Sequence, residues 1–150
     1  MNEIEIMTDR KPNYFYIAAA MVIDHKDRLL LVRKRNTEKF MLPGGKIDGT
    51  ESPLEALMRE LQEEIDLTIT PDDAHFLQTY DAKAANEPDH RIESNLFRIT
   101  LPEGITITPQ AEIEEIVWLN ATDYPTLNFA PLVVERILPL WQEHIRGKQV

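Results

Sequence analysis

Three carboxylates, Glu60, Glu63 and Glu64, stand at i, i+3 and i+4 within a segment of helical pattern, so all three project on one face. Stacked like charges repel one another and weaken an isolated helix. A divalent cation removes that conflict, because hard ions such as magnesium and manganese prefer oxygen ligands. Glu55 lies four residues before Arg59, and Glu51 sits near the start of the same helix. Either can pair with the guanidinium and hold it among the acids. Taken singly, these features are commonplace. A glutamate-rich helix face is usually a solvated face, and a pair such as Gly44-Gly45 is more often a turn than a ligand loop.

The order and spacing of the whole set outweigh that plain reading. The pattern is Gly45, five residues, Glu51, seven residues, Arg59-Glu60-Leu61, one residue, Glu63-Glu64, two residues, Leu67. Its glycine and charged positions would match by chance on the order of once in 10⁷ windows at average residue frequencies. The chain thus resembles the Nudix hydrolase family, in its MutT-like branch, whose box has this spacing. The box covers roughly a sixth of the chain. Asp66 stands where the family usually has glycine, at the helix C-terminus. That place needs a residue tolerant of a left-handed conformation, and aspartate tolerates it better than most non-glycine residues. Gly49-Thr50 is a second departure, since a glycine more often directly precedes the glutamate at 51.

The resemblance implies an α+β fold, a Nudix-type α/β/α sandwich with a mixed sheet, a loop–helix–loop carrying the box and a C-terminal helix. It implies hydrolysis of a nucleoside diphosphate linked to a further group, by water attack on phosphorus with Mg2+ or Mn2+. By the same carry-over, the Gly45 carbonyl with Glu60, Glu63 and Glu64 would ligate the metal, Glu60 is the candidate general base if it does not itself touch the metal (the carboxylate that takes the proton varies within the family), and Arg59 and Glu51 would orient the set. Lys46 would meet a phosphate or one of the acids. A further metal or base carboxylate is expected from Glu112, Glu114 and Glu115 before Val117-Trp118-Leu119, with Glu112 favoured and Glu115 second, although a surface acid is the commoner fate of each. Asp123 to Asn128 looks like the stretch in which an asparagine reads an oxidised guanine, since its amide offers both a donor and an acceptor. Asn128 has an equal claim as a cap of the C-terminal helix. Phe129 and Trp118 are candidates to stack on a base, with burial in the core the commoner fate of each. Arg33, Lys34 and Arg35 form a candidate phosphate-facing patch, of which Arg33 is taken as the substrate contact. The proline that marks many ADP-ribose pyrophosphatases has no clear match, because Pro71 is too close to the box and Pro88 too far. The four histidines have no metal-ligand spacing.

The elements that must position these groups follow from pattern. Ser52-Pro53-Leu54-Glu55 supplies an N-cap serine, a proline at the first helical position and a glutamate three residues past the cap. Leu54, Leu57, Met58, Leu61 and Ile65 form its apolar stripe, and the helix should end near Asp66, before the β-prone Leu67 to Thr70. The acid face is expected roughly opposite the stripe, as residue 63 lies about 200° round from residue 61. Tyr14 to Ile23 and Arg28 to Val32 predict strands joined in a hairpin. Phe40 to Leu42 runs into Pro43-Gly44-Gly45, a loop signal. Pro71 to Asp73 is a turn, His75 to Tyr80 and Ile92 to Leu101 are strands around a polar loop, and Ile113 to Leu119 is a further strand. Leu132, Val133, Ile137, Leu138 and Trp141 predict an amphipathic C-terminal helix with a kink at Pro139.

Composition bounds the rest. The chain has 150 residues and a net charge of −10, which suits one domain over 1–150 with residues 1–12 as a polar lead-in. The acidic balance argues against a nucleic-acid polymer or an anionic membrane surface as the main partner, since both demand a basic patch. Cysteine is absent, which excludes disulfides, thiolate zinc sites and cysteine nucleophiles. There is no signal-peptide pattern, and the longest apolar run, Tyr14 to Ile23, is too short to span a bilayer. A cytoplasmic enzyme is expected. Many members of the family are homodimers, although no patch here marks an interface. Three functional readings stand: a pyrophosphohydrolase of an intact or oxidised nucleoside triphosphate, an ADP-ribose or dinucleotide pyrophosphatase, and a domain that senses a nucleotide without cleaving it. A small-molecule nucleotide is the partner in each.

Overall fold

A computed structural model describes residues 10–148, so residues 1–9 of the expected lead-in lie outside it. Six strands form one mixed sheet: β1 (Tyr14–Ile23), β2 (Leu29–Lys34), β3 (Gly44–Lys46), β4 (His75–Lys83), β5 (Arg91–Thr100) and β6 (Ile113–Leu119). Their order is β4-β5-β1-β2-β6, with β3 paired to β1. β1 and β5 run parallel along their whole length, from Tyr14 opposite Arg91 to Ile23 opposite Thr100. The other pairings are antiparallel.

Alternation along the strands builds two apolar layers, because successive side chains point to opposite faces. Ala18, Ala20 and Val22 of β1, with Leu30, Val32, Phe97 and Ile99, pack against Ala56, Leu57, Leu61 and Ile65 of helix α1 (Pro53–Ile65). Ala19, Met21 and Ile23, with Leu29, Leu31 and Leu96, pack against Val133, Ile137 and Trp141 of the C-terminal helical segment. The result is the expected α+β sandwich, a sheet between two helical layers. Among the described residues, no helix is long and apolar enough to cross a membrane.

Two local features bear on the site. The predicted hairpin of β1 and β2 closes only at Ile23 and Leu29. Beyond that pair β1 takes β3 as its partner, Ile17 meeting Lys46 and Ala19 meeting Gly44, while Val32 bridges to Met41. The expected loop at Pro43-Gly44-Gly45 is therefore corrected: the glycines are in a strand. The reason is steric, because at Gly44 (φ 147°) a side chain would overlap the Ala18 carbonyl. The β-prone Leu67 to Thr70 is also not a strand; its apolar residues, Leu67 and Ile69, are buried without sheet pairing. The kink expected at Pro139 takes the form of a π-helical segment, Val133–Ile137, leading into helix α2 (Leu138–Lys148). There the Leu138 N–H donates to the carbonyl of Val133, five residues back. The next residue, Pro139, has no N–H with which to continue the ordinary ladder.

Helix α1 begins and ends as its sequence demands. Glu55 N–H donates to Ser52 Oγ at 3.1 Å, and Ser52 N–H donates to Glu55 Oε1 at 2.9 Å, which closes a capping box. Asp66 takes the left-handed conformation, with φ 52° and ψ 40°, and its N–H reaches the carbonyl of Leu61. Its side chain accepts a hydrogen bond from Gln62 Nε2 at 2.8 Å. That exposed bond only partly offsets the steric cost of a Cβ in this region. Asp66→Gly is expected to raise stability by about 0.5 kcal/mol, a gain of about 1–2 °C in Tm, as read by thermal melting. An unchanged or lower Tm would mean that the Gln62 bond outweighs the backbone strain.

Candidate active site

Arg59 is the hub of the loop that precedes α1. Its Nε and Nη2 donate to the two carboxylate oxygens of Glu51, each at 2.8 Å. Nη1 donates to Glu60 Oε1 at 2.7 Å, and Nη2 also reaches the Lys46 carbonyl at 3.0 Å. The planar fork matches a carboxylate in a way that lysine cannot. One side chain therefore fastens the end of β3, the acid before the helix and a carboxylate on the helix. Of the two acids that could have held Arg59, the geometry selects Glu51, while Glu55 serves the cap. The Arg59 bond, helped by the Asp48 N–H, brings the Glu51 carboxyl down to about 2. Arg59 is shifted up in return, chiefly by Glu51.

The three glutamates of α1 have different surroundings. Glu63 is exposed, with its carboxylate 3.8 Å from Arg59. Glu60 is mostly enclosed, and its carboxylate lies where a side chain on Gly45 would overlap it. Glu64 is 2 % exposed, and its Oε1 accepts the Gly44 N–H at 3.1 Å. The acid face is thus not opposite the apolar stripe as expected. Glu63 lies far round from Leu61, but at 100° per residue Glu64 lies only about 60° from it, so the acids begin where the stripe ends. Burial pushes the Glu64 carboxyl up to about 8, against the opposing pull of the Gly44 N–H and the charge of Lys34. Burial likewise raises Glu60, with Arg59 opposing it.

The segment before β6 closes the site from the other side. Gln110 N–H donates to the Glu64 carbonyl at 2.8 Å, which brings the following acids to the end of α1. Glu112 pairs with Lys34 at 3.3 Å and raises the Glu64 carboxyl further. Glu114 and Glu115 pair with Arg35 and Arg33 instead. Of the three acids weighed from sequence, Glu112 is the one joined to this cluster.

Among the described residues, no three acidic or histidine side chains are arranged to hold a metal ion as they stand; Arg59 and the Gly44 N–H hold Glu60 and Glu64 in place. The donor set still suits a hard divalent cation. It is all oxygen, it includes a buried carboxylate whose charge is poorly compensated, and glycine at 45 lets the Glu60 carboxylate approach the backbone. Gly45, Glu60, Glu63, Glu64 and Glu112 are the groups that could hold such an ion.

A cavity of about 120 Å³ opens beside Gly44 and Gly45. Phe15, Ile17, Ile92, Leu132 and Val133 make its apolar wall, and Lys34 and Lys46 also line it. The Lys46 ammonium lies 4.2 Å from the centre of the Phe15 ring. Of the expected substrate contacts, Lys46 lines this cavity, whereas Arg33, Asn128 and Phe129 do not. Arg33 is engaged by Glu115 at 3.1 Å and by the Thr37 carbonyl at 2.8 Å. Phe129 packs edge-to-face on Tyr124. Asn128 lends its backbone carbonyl to the Phe40 N–H, and the carbonyl that begins the C-terminal helical segment belongs to Ala130. Trp118 is half-buried against the α1-side core with the Arg28 guanidinium over its ring. Phe15 and Ile92, on adjacent strands, and Asn86 and Glu87, in the β4–β5 loop, line the cavity and were not singled out from sequence. The alternation of β1 and β5 could have flagged the first two; nothing in the loop's polar composition marks the others.

A model of the NUDIX domain matches residues 14–139. The chain is 33 % identical over 99 residues to an 8-oxo-dGTP diphosphatase of Proteus vulgaris, covering 63 % of this chain and 81 % of that protein. It is 30 % identical over 119 residues to the 8-oxo-dGTP diphosphatase of Escherichia coli strain K12, covering 75 % of this chain and 88 % of that one. Its fold is similar to that of a MutT/nudix family protein from Enterococcus faecalis, with a TM-score of 0.73 at 14 % identity, over 97 % of this chain and 70 % of the other.

The raised Glu64 carboxyl has a consequence for stability. A carboxyl at about 8 in the folded chain and near 4.5 when unfolded binds its proton more tightly in the folded state. Metal-free protein should therefore lose stability as pH rises from about 4.5 to about 8, by up to a few kcal/mol for this group alone. Glu64→Gln keeps an acceptor for the Gly44 N–H and carries no charge. Melted without metal, it is expected to exceed the natural chain in Tm at pH 8.5 and to match it near pH 5. Equal Tm values at both pH values would show that the buried carboxylate carries no such cost.

Proposed function

The chain belongs to the NUDIX family of pyrophosphohydrolases, and on that premise we propose that it hydrolyses a nucleoside triphosphate, intact or oxidised at the base, to the monophosphate and pyrophosphate with Mg2+ or Mn2+. The observation that carries this reading is the placement of a buried carboxylate, Glu64, and the Arg59-held Glu60 against Gly44 and Gly45, at the edge of an apolar cavity lined also by three lysines, Lys34, Lys46 and Lys83. Such a cavity suits a ligand with a flat apolar body and a polyanionic tail. Similarity to relatives that are 8-oxo-dGTP diphosphatases favours the triphosphate over ADP-ribose.

In this reading the Gly45 carbonyl, Glu63, Glu64 and Glu112 would hold the divalent cation, with Glu60 beside it as the base, and the bound ion would neutralise phosphate charge and make the attacking water more acidic. Glu60 receives the proton of the attacking water on the carboxylate oxygen that Arg59 leaves free. Arg59 fixes the direction of that carboxylate, and Glu51 fixes Arg59. Lys46 meets the phosphate chain, while Phe15 and the aliphatic wall exclude water from the nucleoside. Water adds to phosphorus, the bond to the leaving phosphate oxygen breaks, and two phosphate products depart with the released proton.

Glu60→Gln and Glu64→Gln are each expected to lower kcat by about 10²-fold or more while leaving the circular dichroism spectrum unchanged. The measurement is product analysis over a nucleotide panel containing 8-oxo-dGTP, the ordinary triphosphates and ADP-ribose, with Mg2+ or Mn2+. Pyrophosphate release from a triphosphate supports the reading. AMP release from ADP-ribose alone moves the chain to the dinucleotide branch, and no turnover of any compound overturns the proposal.

A further inference from the structure

Lys34 is the last residue of β2, where the register against β6 shifts between Arg33 and Lys34. Its neighbour Arg33 faces Glu115, but Lys34 faces the acids of the site. Its ammonium lies 3.3 Å from Glu112 Oε1, and its charge acts on Glu60 and on Glu64. The same residue lines the cavity with Gly44, Gly45 and Lys46. Arg59 is committed to Glu51 and Glu60 on the loop side. On the cavity side, the Lys34 ammonium pairs with Glu112 and opposes by its charge the burial of Glu64.

We propose that Lys34 is a tethered counter-ion: it compensates Glu60, Glu64 and Glu112 until a divalent cation takes its place, and its released ammonium then meets the substrate phosphate in the adjoining cavity. The inference rests on the metal-dependent reading above. A lysine suits the exchange, since a point charge on a flexible four-carbon stem can swing between two sets of oxygens. Its side chain is also one-third exposed, so the swing needs no opening of the core. Ammonium and dication compete for the same charge, so Lys34 weakens metal binding and strengthens nucleotide binding. A lysine that merely held the fold would not produce that pair of opposite effects.

The test is calorimetric titration of the full chain with Mn2+ in the absence of nucleotide. Lys34→Gln is expected to tighten Mn2+ binding by about tenfold, and Lys34→Arg, which keeps the charge, to stay within about twofold of the natural chain. With saturating Mn2+, Lys34→Gln should raise KM for the hydrolysed nucleotide by about tenfold and change kcat less. Should Lys34→Gln fail to melt cooperatively, Lys34→Met is read in the same way. Unchanged or weaker Mn2+ binding in the uncharged variant, in a chain that does bind Mn2+, overturns the counter-ion role alone. A natural chain that binds no Mn2+ overturns the metal reading and this inference together.

Discussion

The site depends on the fork of Arg59. Two parallel bonds to Glu51 and one to Glu60 join the loop after β3 to the first turns of α1. Ile47 anchors the start of that loop in the α1-side core, but Asp48 to Ser52 contains no large hydrophobic side chain. Its position relative to the helix is set by charge-assisted hydrogen bonds, which are directional as well as strong. A partly exposed ion pair of this kind adds little to global stability. What it supplies is geometry. Glu60 sits on a helix whose face would otherwise leave its carboxylate free to rotate, and Arg59 gives it one orientation.

The second dependence is on backbone approach. β3 lies close enough to β1 that a side chain at Gly44 would strike the Ala18 carbonyl, and one at Gly45 would strike the Glu60 carboxylate. The glycines therefore act as a strand whose missing side chains admit a neighbour on each side. That strand brings its Gly44 N–H to the buried Glu64, a polar partner for a group that apolar packing alone would leave unsatisfied. It also takes the place beside β1 that β2 leaves when the two strands part after Ile23 and Leu29. The cavity and the carboxylates consequently meet at the same three residues, Gly44 to Lys46.

Local and periodic features were legible in the sequence, and close approaches between distant segments were not. Helix α1 was readable because its cap, its proline and its apolar stripe all point to one answer. The strand character of Gly44 and Gly45 was hidden, since a Pro-Gly-Gly string signals a turn and only the nearness of Ala18 makes it a strand. The burial of Glu64 was within reach: its angle to Leu61, rather than that of Glu63, was the relevant one. Arg33 and Lys34 illustrate the same point on a strand. Adjacent residues face opposite sides, so one of a basic pair had to be taken by the outer acids, and the register shift against β6 decides which. Among Glu112, Glu114 and Glu115 composition makes no distinction; the Gln110 bond to the end of α1 does.

The net charge of −10 set a difficulty for a polyphosphate ligand, and distance resolves it. Charges more than about 8 Å away are largely screened at physiological ionic strength, so a nucleotide at the cavity responds to the groups that line it. Those groups include Lys34, Lys46 and Lys83, and the Lys34 ammonium stands 3.3 Å from Glu112. A dication bound by the carboxylates would turn the most negative point of the site toward positive and leave the rest of the surface as it is. The acidic exterior then weighs little against one short polyphosphate, and screening removes the need for a basic surface around the site.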